Sequence, residues 1–192
     1  MRVIFLPILI LLFSCNNSIH FIKYAYLPVG DYEFYAPISK VDLKQKRFCY
    51  IVNDMRSGIN RIECSGSDLD RNTKLEGRNG LDYFSNYIKA MTEYNNGIVD
   101  QNSNDTIYVD LLAISSQTYG FGFERVYGHT KFKIHYNGLQ KDYCAEITDG
   151  DNDSPLGLMS FSTRKGALRK LASASVRKAL EMFIQDLEKE IN

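Results

Sequence analysis

The sequence predicts an α+β domain of two layers, a mostly antiparallel sheet with two helices, the C-terminal one long, packed on one face. Three observations carry that prediction. Apolar residues recur at steps of one, three or four from Leu168 to Ile191, the period of a long amphipathic helix. Polar and apolar residues alternate from Arg125 to Tyr136, with Val126, Gly128, Thr130, Phe132, Ile134 and Tyr136 sharing one face of a strand. Asn137-Gly138 follows, the strongest short hairpin signal in the chain, and Leu139 to Thr148 reads as the returning strand.

The remaining elements follow in order. Asp31 to Ala36 alternates polar and aromatic residues between Pro28 and Pro37 and reads as a half-buried strand. Phe48 to Val52, after a basic lead-in from Lys44 to Arg47, reads as a core strand. Asp54 to Gly58 ends it in a turn, and Ile59 to Cys64 is expected to return beside it. Ser65 to Gly80 is rich in Ser, Asp, Asn, Arg and Gly and reads as a loop. Leu81, Phe84, Ile88, Met91 and Tyr94 share one helical face, with Asn79 as N-cap and Gly97 as stop. Thr106 to Ile114 reads as the longest strand, and the glycines of Tyr119-Gly120-Phe121-Gly122-Phe123 permit a bulge or bend after it. Thr163 is expected to cap the last helix, Arg164 to about Glu190. Its small Ala172, Ser173, Ala174 and Ser175 allow close approach to a sheet. Its charges run basic first and acidic last, against the helix dipole, so packing rather than intrinsic preference must hold it.

The first fifteen residues set the location. Arg2 leads an apolar run that closes on Ser14 and Cys15, the layout of a secretory signal and too short for a permanent span of about 20 residues. Leu12-Phe13-Ser14-Cys15 resembles the bacterial lipobox, which implies a lipidated Cys15 at the mature N-terminus. The alternative is a cleaved secretory signal with an incidental cysteine. The expected organisation is a signal peptide over 1–14, a lipidated tether over 15–28 and a single α+β domain over 29–192. Asn16, rather than aspartate, follows the cysteine; by resemblance to enteric sorting this implies the outer membrane.

Composition narrows the classes. The 23 basic and 23 acidic side chains balance, without the basic surplus of a dedicated nucleic-acid binder. Tryptophan is absent, while 13 Tyr and 11 Phe suit a sheet-rich fold. Cys49, Cys64 and Cys144 remain after the lipid site. Cys49 and Cys64 lie symmetrically about Ser57-Gly58, so a cross-strand disulfide is possible; all three could equally be small buried side chains. No CxxC or CxxH spacing points to a metal.

The candidate chemistry is sparse. Asp54 and Arg56 could form a functional pair at a strand end, but such pairs are more often turn devices. His129 and His135 are six apart on one strand, about 20 Å, and cannot share a metal ion. Asp149 to Ser154 begins like a calcium loop, yet lacks the glycine at its sixth position and a carboxylate at its twelfth, Ser160. No Gly-x-Ser-x-Gly elbow occurs. No cofactor motif and no catalytic constellation is expected.

The layout of lipobox, core strand ending in Asp54-Met55-Arg56, helix turning into Gly97-Ile98-Val99, Asn-Gly hairpin and C-terminal helix resembles the YajG-type family of bacterial lipoproteins. More distantly it is similar to the auxiliary lipoproteins of ABC-type transport systems. The resemblance implies a binding or accessory role at the envelope, with no catalytic residues to carry over. The expectation is a non-enzymatic protein anchored by lipid and facing the periplasm. It would bind an envelope protein through the sheet edge or through Tyr119, Phe121 and Phe123. A carrier of lipid or another apolar ligand between sheet and helices is the alternative, and a hydrolase the least favoured.

Overall fold

The computed structural model describes residues 33–56, 59–61, 64, 72–74, 78–119, 125–156 and 163–192. The fold is α+β. A five-stranded sheet has the order β4-β1-β5-β6-β7, from β1 (Arg47–Asp54), β4 (Ile98–Val99), β5 (Thr106–Tyr119), β6 (Arg125–Tyr136) and β7 (Leu139–Thr148). A separate small pair joins β2 (Ile59–Arg61) to β3 (Asn72–Lys74). Helices α1 (Arg78–Tyr94) and α2 (Arg164–Ile191) cover the inner face of the sheet.

β5, β6 and β7 form the antiparallel meander that the alternation predicts. Asn137 (φ 48°) and Gly138 (φ 81°) make the two-residue turn between β6 and β7, both in the left-handed region as a type I′ turn requires. β1 departs from expectation. It pairs in parallel with β4 on one side and β5 on the other, because α1 separates β1 from β4 and makes the connection a crossover. Ile59–Arg61 therefore does not return beside β1; it pairs with Asn72–Lys74 instead, inside the stretch read as loop.

That topology corrects the disulfide. Cys49 is free, and the bond joins Cys64 to Cys144, with Cα atoms 5.4 Å apart and 80 residues between them in sequence. A Cys49–Cys64 bridge needs β1 and residues 59–64 to be neighbours, which the parallel pairing prevents. Tyr143, Ala145 and Ile147 of β7 point inward, so Cys144 faces outward and fastens Cys64 against the outer face.

The bulge or bend expected at Gly120 and Gly122 lies outside the described residues; a β-bulge falls between Leu111 and Ala113. Before it Ile107, Val109 and Leu111 point inward; after it Ile114 does, while Ala113 and Ser115 turn outward beside Lys131 and His129. Tyr119 pairs with Arg125, so the chain joins β5 to β6 through residues 120–124, which lie outside the described residues.

The helices behave largely as the periodicity requires. Thr163 caps α2, its side chain accepting from the Gly166 amide at 3.1 Å. α1 starts at Arg78, one residue ahead of the expected cap. It ends with Asn96 in the left-handed region (φ 60°); the Gly97 amide donates to Thr92 O at 2.9 Å and the Asn96 amide to Glu93 O at 3.1 Å, a Schellman stop. The small-residue stretch brings α2 very close to β6. A Cβ added to Gly128 would stand 2.1 Å from the Leu171 carbonyl oxygen, so only glycine fits there. Beside it Thr130 and Ser175 share a buried hydroxyl–hydroxyl bond of 2.8 Å.

Asp31 and Tyr32 of the expected first strand lie outside the described residues, and from Glu33 the chain is a strap rather than a strand. Several of its backbone amides donate to helix side chains. The Glu33 amide donates to Ser173 Oγ (3.1 Å), the Tyr35 amide to Tyr87 Oη (2.9 Å), the Ser39 amide to Glu181 Oε1 (2.6 Å) and the Val41 amide to Asn95 Oδ1 (2.9 Å). Phe34, Tyr35 and Ala36 are buried by this docking. The aromatic alternation therefore marks burial against α1 and α2.

Candidate functional site

The expected contact residues are placed only in part. Cys15, Phe121, Phe123 and the side chain of Tyr119 lie outside the described residues; the backbone of Tyr119 closes β5. The other singled-out groups resolve into local structure. Asp54 takes Arg56 in a fork of 2.7 and 2.8 Å and also accepts the Arg56 amide at 3.2 Å. Those bonds hold its carboxyl below the usual range. His129 and His135 do share the outer face, but with different partners. His129 is buried with Nε2 3.4 Å from Glu146, and half-exposed His135 lies 3.0 Å from Asp110. Asn53, which donates to Asp110 at 2.9 Å, is the larger cause of that carboxyl's lowered pKa, and His135 adds to it. Among the described residues no group of His, Cys, Asp or Glu converges as a metal site.

The calcium-like loop is spent on structure. Asp151 accepts the Thr148 amide at 2.7 Å, while Asp153 pairs with Arg177 at 2.9 Å and with Lys178 at 3.5 Å. Arg177 belongs to a cluster that the sequence reading missed. Fully buried, it donates Nη1 to Glu181 Oε2 at 2.8 Å and Nη2 to Asp153. Glu181 in turn receives the strap at Ser39. The available signal was an Arg–Glu pair four apart inside an apolar helix, on a stripe shared with Ser173, Ile184 and Glu188.

Among the described residues, aromatic rings pack against one another between the layers. Phe132 of β6 meets Phe84 of α1 at 5.3 Å between ring centroids, Tyr143 of β7 at 5.4 Å and Phe183 of α2 at 6.3 Å. Tyr87, in this layer, has its phenol pushed up by burial.

Two open spaces are lined by described residues. One cleft of about 660 Å³ is polar and flanked by the strap, with Lys40 5.1 Å over the Tyr94 ring and with Asp42, Glu93 and Glu188 around it. A smaller groove of about 220 Å³ runs between β1 and α1, lined by Tyr50, Val52, Ser85, Ile88, Lys89, Val99 and Gln101. Strand chemistry defines its floor. The Cys49 and Met55 amides donate towards β5, to Asp105 O (2.9 Å) and Leu111 O (3.0 Å). The backbone groups of Tyr50, Val52 and Asp54, which alternate with them, point to the opposite side. There β4 pairs only with Arg47 and Phe48, and the Asp100 amide closes that lane on Phe48 O at 2.9 Å. Beyond Phe48 no described strand lies beside β1. The outer face next to this edge carries Ile51 and Tyr108, paired in register and 41% and 47% exposed.

No family model matches the sequence, and no curated protein matches it. The solved structures that the chain matches include the following three. A Xanthomonas campestris protein of the family DUF330 has a TM-score of 0.42 at 12% identity, over 82% of this chain and 89% of that one. A minor lipoprotein from Acinetobacter baumannii has a TM-score of 0.34 at 12% identity, over 77% and 90%. A third, described as an uncharacterized protein, has a TM-score of 0.35 at 9% identity, over 80% and 97%.

Proposed function

We propose that this chain is a lipid-anchored envelope protein with a non-enzymatic, accessory binding role, held at Cys15 to the outer membrane and facing the periplasm. The observation that carries the binding reading is the ring-on-ring packing of Phe84, Phe132, Tyr143 and Phe183 between the layers. A carrier would keep its apolar ligand there, and well-packed interiors have few voids larger than a water molecule. Recognition is then a matter of the surface. The Cys64–Cys144 disulfide supports the location, since such bonds persist in oxidising compartments.

The anchor is tested by fractionation of the full chain. Wild type is expected with the membranes, and Cys15→Ala in the soluble extract. A variant that stays with the membranes, or a mature terminus without acyl mass, overturns the anchored reading.

A further inference from the structure

We propose that the open edge of β1 receives an extended, acidic segment of a partner protein as an added strand. The inference rests on the binding role above and gives it a surface and a ligand chemistry.

Among the described residues the edge is unguarded. Natural sheets protect exposed edges with charge, proline or cover. β7, the opposite edge, carries Lys141, Asp142 and Glu146 along its length, with Lys141 tied to Asp186. β1 carries no charge from Phe48 to Asn53, and its Tyr50-Ile51-Val52 core is strongly β-forming. Such a strand with an empty lane beside it offers main-chain hydrogen bonds to an incoming strand.

The groove sets the chemistry of that strand. Tyr50, Val52, Ile88 and Val99 make its wall apolar, so alternate side chains of the guest are small and apolar. Among the described residues that line it, Lys89 alone is charged. Its ion pair with Glu93 is long, 3.9 Å, and both side chains are about half exposed, so it holds the ammonium only weakly. A carboxylate on the guest, facing α1, meets that ammonium. β4 ends the lane at Phe48 and Asp54 marks the last outward backbone group, so the guest pairs over roughly five residues.

The test uses the full mature chain in detergent and a short fluorescent peptide alternating valine and threonine around one aspartate. Anisotropy is expected to show this peptide binding about tenfold more tightly than its lysine counterpart. Lys89→Glu, on an exposed helix position, should reverse that order. Val52→Pro removes an outward amide while sparing the β1–β5 ladder, and should abolish binding of the aspartate peptide. Circular dichroism checks that each variant is folded. Equal affinity for both peptides, binding that survives Val52→Pro, or no binding at all would overturn the proposal. So would a dimer of this chain that Val52→Pro dissociates, since a second copy would then be the guest. None of these readouts depends on the lipid, so failure here is distinct from failure of the anchor.

Discussion

Gly128→Ala tests the packing on which the two-layer arrangement depends. The added methyl carbon would lie 2.1 Å from Leu171 O and 2.6 Å from Ala172 N. Even close carbon–oxygen contacts sit at about 3.3 Å, so α2 must withdraw by roughly 1 Å at that point. The obstacle is helix backbone, which cannot rotate aside as a side chain could. A gap of 0.5–1 Å forfeits about a quarter to a half of each dispersion well across the seam. It also stretches the 2.8 Å Thr130–Ser175 bond beside it. The expected cost is about 3 kcal/mol, the upper end for overpacking. With a urea dependence of about 2 kcal/mol per molar, the unfolding midpoint should fall by about 1.5 M. Gly138→Ala is the control, for its φ of 81° disfavours alanine but nothing lies within 4 Å of the new carbon. It should cost about 1 kcal/mol. Equal losses in the two variants would refute the close helix–sheet approach.

Cys64→Ser or Cys144→Ser opens a loop of 80 residues in sequence separation and should lower stability by about 4 kcal/mol, whereas Cys49→Ser should leave the urea midpoint near wild type. A large effect of Cys49→Ser would mean a different bond. Arg177→Met removes the buried guanidinium that Glu181 and Asp153 share, leaving them the Ser39 amide and Lys178, and should cost about 3 kcal/mol in the same assay; adding Glu181→Leu should recover part of it. Burial alone would raise the Asp186 carboxyl, but Lys141 and Lys189 hold it below its ordinary 3.8. A folded-state value below the unfolded one gives stability that is complete above the unfolded value and fades as pH falls through the folded value. Asp186→Asn should therefore flatten the acid loss of stability below about pH 4, measured as urea midpoint against pH. A slope identical to wild type would count against the pair.

Legibility followed the range of the interaction. Helix α2, its Thr163 cap, the β6 alternation and the Asn137-Gly138 turn are set within a few residues, and each appears where its pattern predicts. The parallel pairing of β1 with β5 depends on partners more than fifty residues apart, and periodicity within β1 carries no information about them. The disulfide error follows from it, because Cys49 and Cys64 look like hairpin partners only if the nearest strand is the pairing strand. Likewise Asp31 to Ala36 has the period of a strand, but the described part spends its backbone groups on Tyr87 and Ser173. The Arg177 cluster was hidden for another reason. A charge on an apolar helix face reads as surface until Asp153, 24 residues earlier, is brought against it.

The strap connects the proposed anchor to the proposed docking edge. Its first described residue, Glu33, is clamped on both sides, the amide to Ser173 of α2 and the carbonyl oxygen to Tyr83 of α1. Further along, the Leu43 and Gln45 amides donate to Asn95 O and Asn96 O at the end of α1, immediately before β1 begins. The strap is thus held by both helices and by the Glu181–Arg177–Asp153 cluster. Buried tyrosines and a buried ion cluster thereby fix the eleven residues of strap, Glu33 to Leu43.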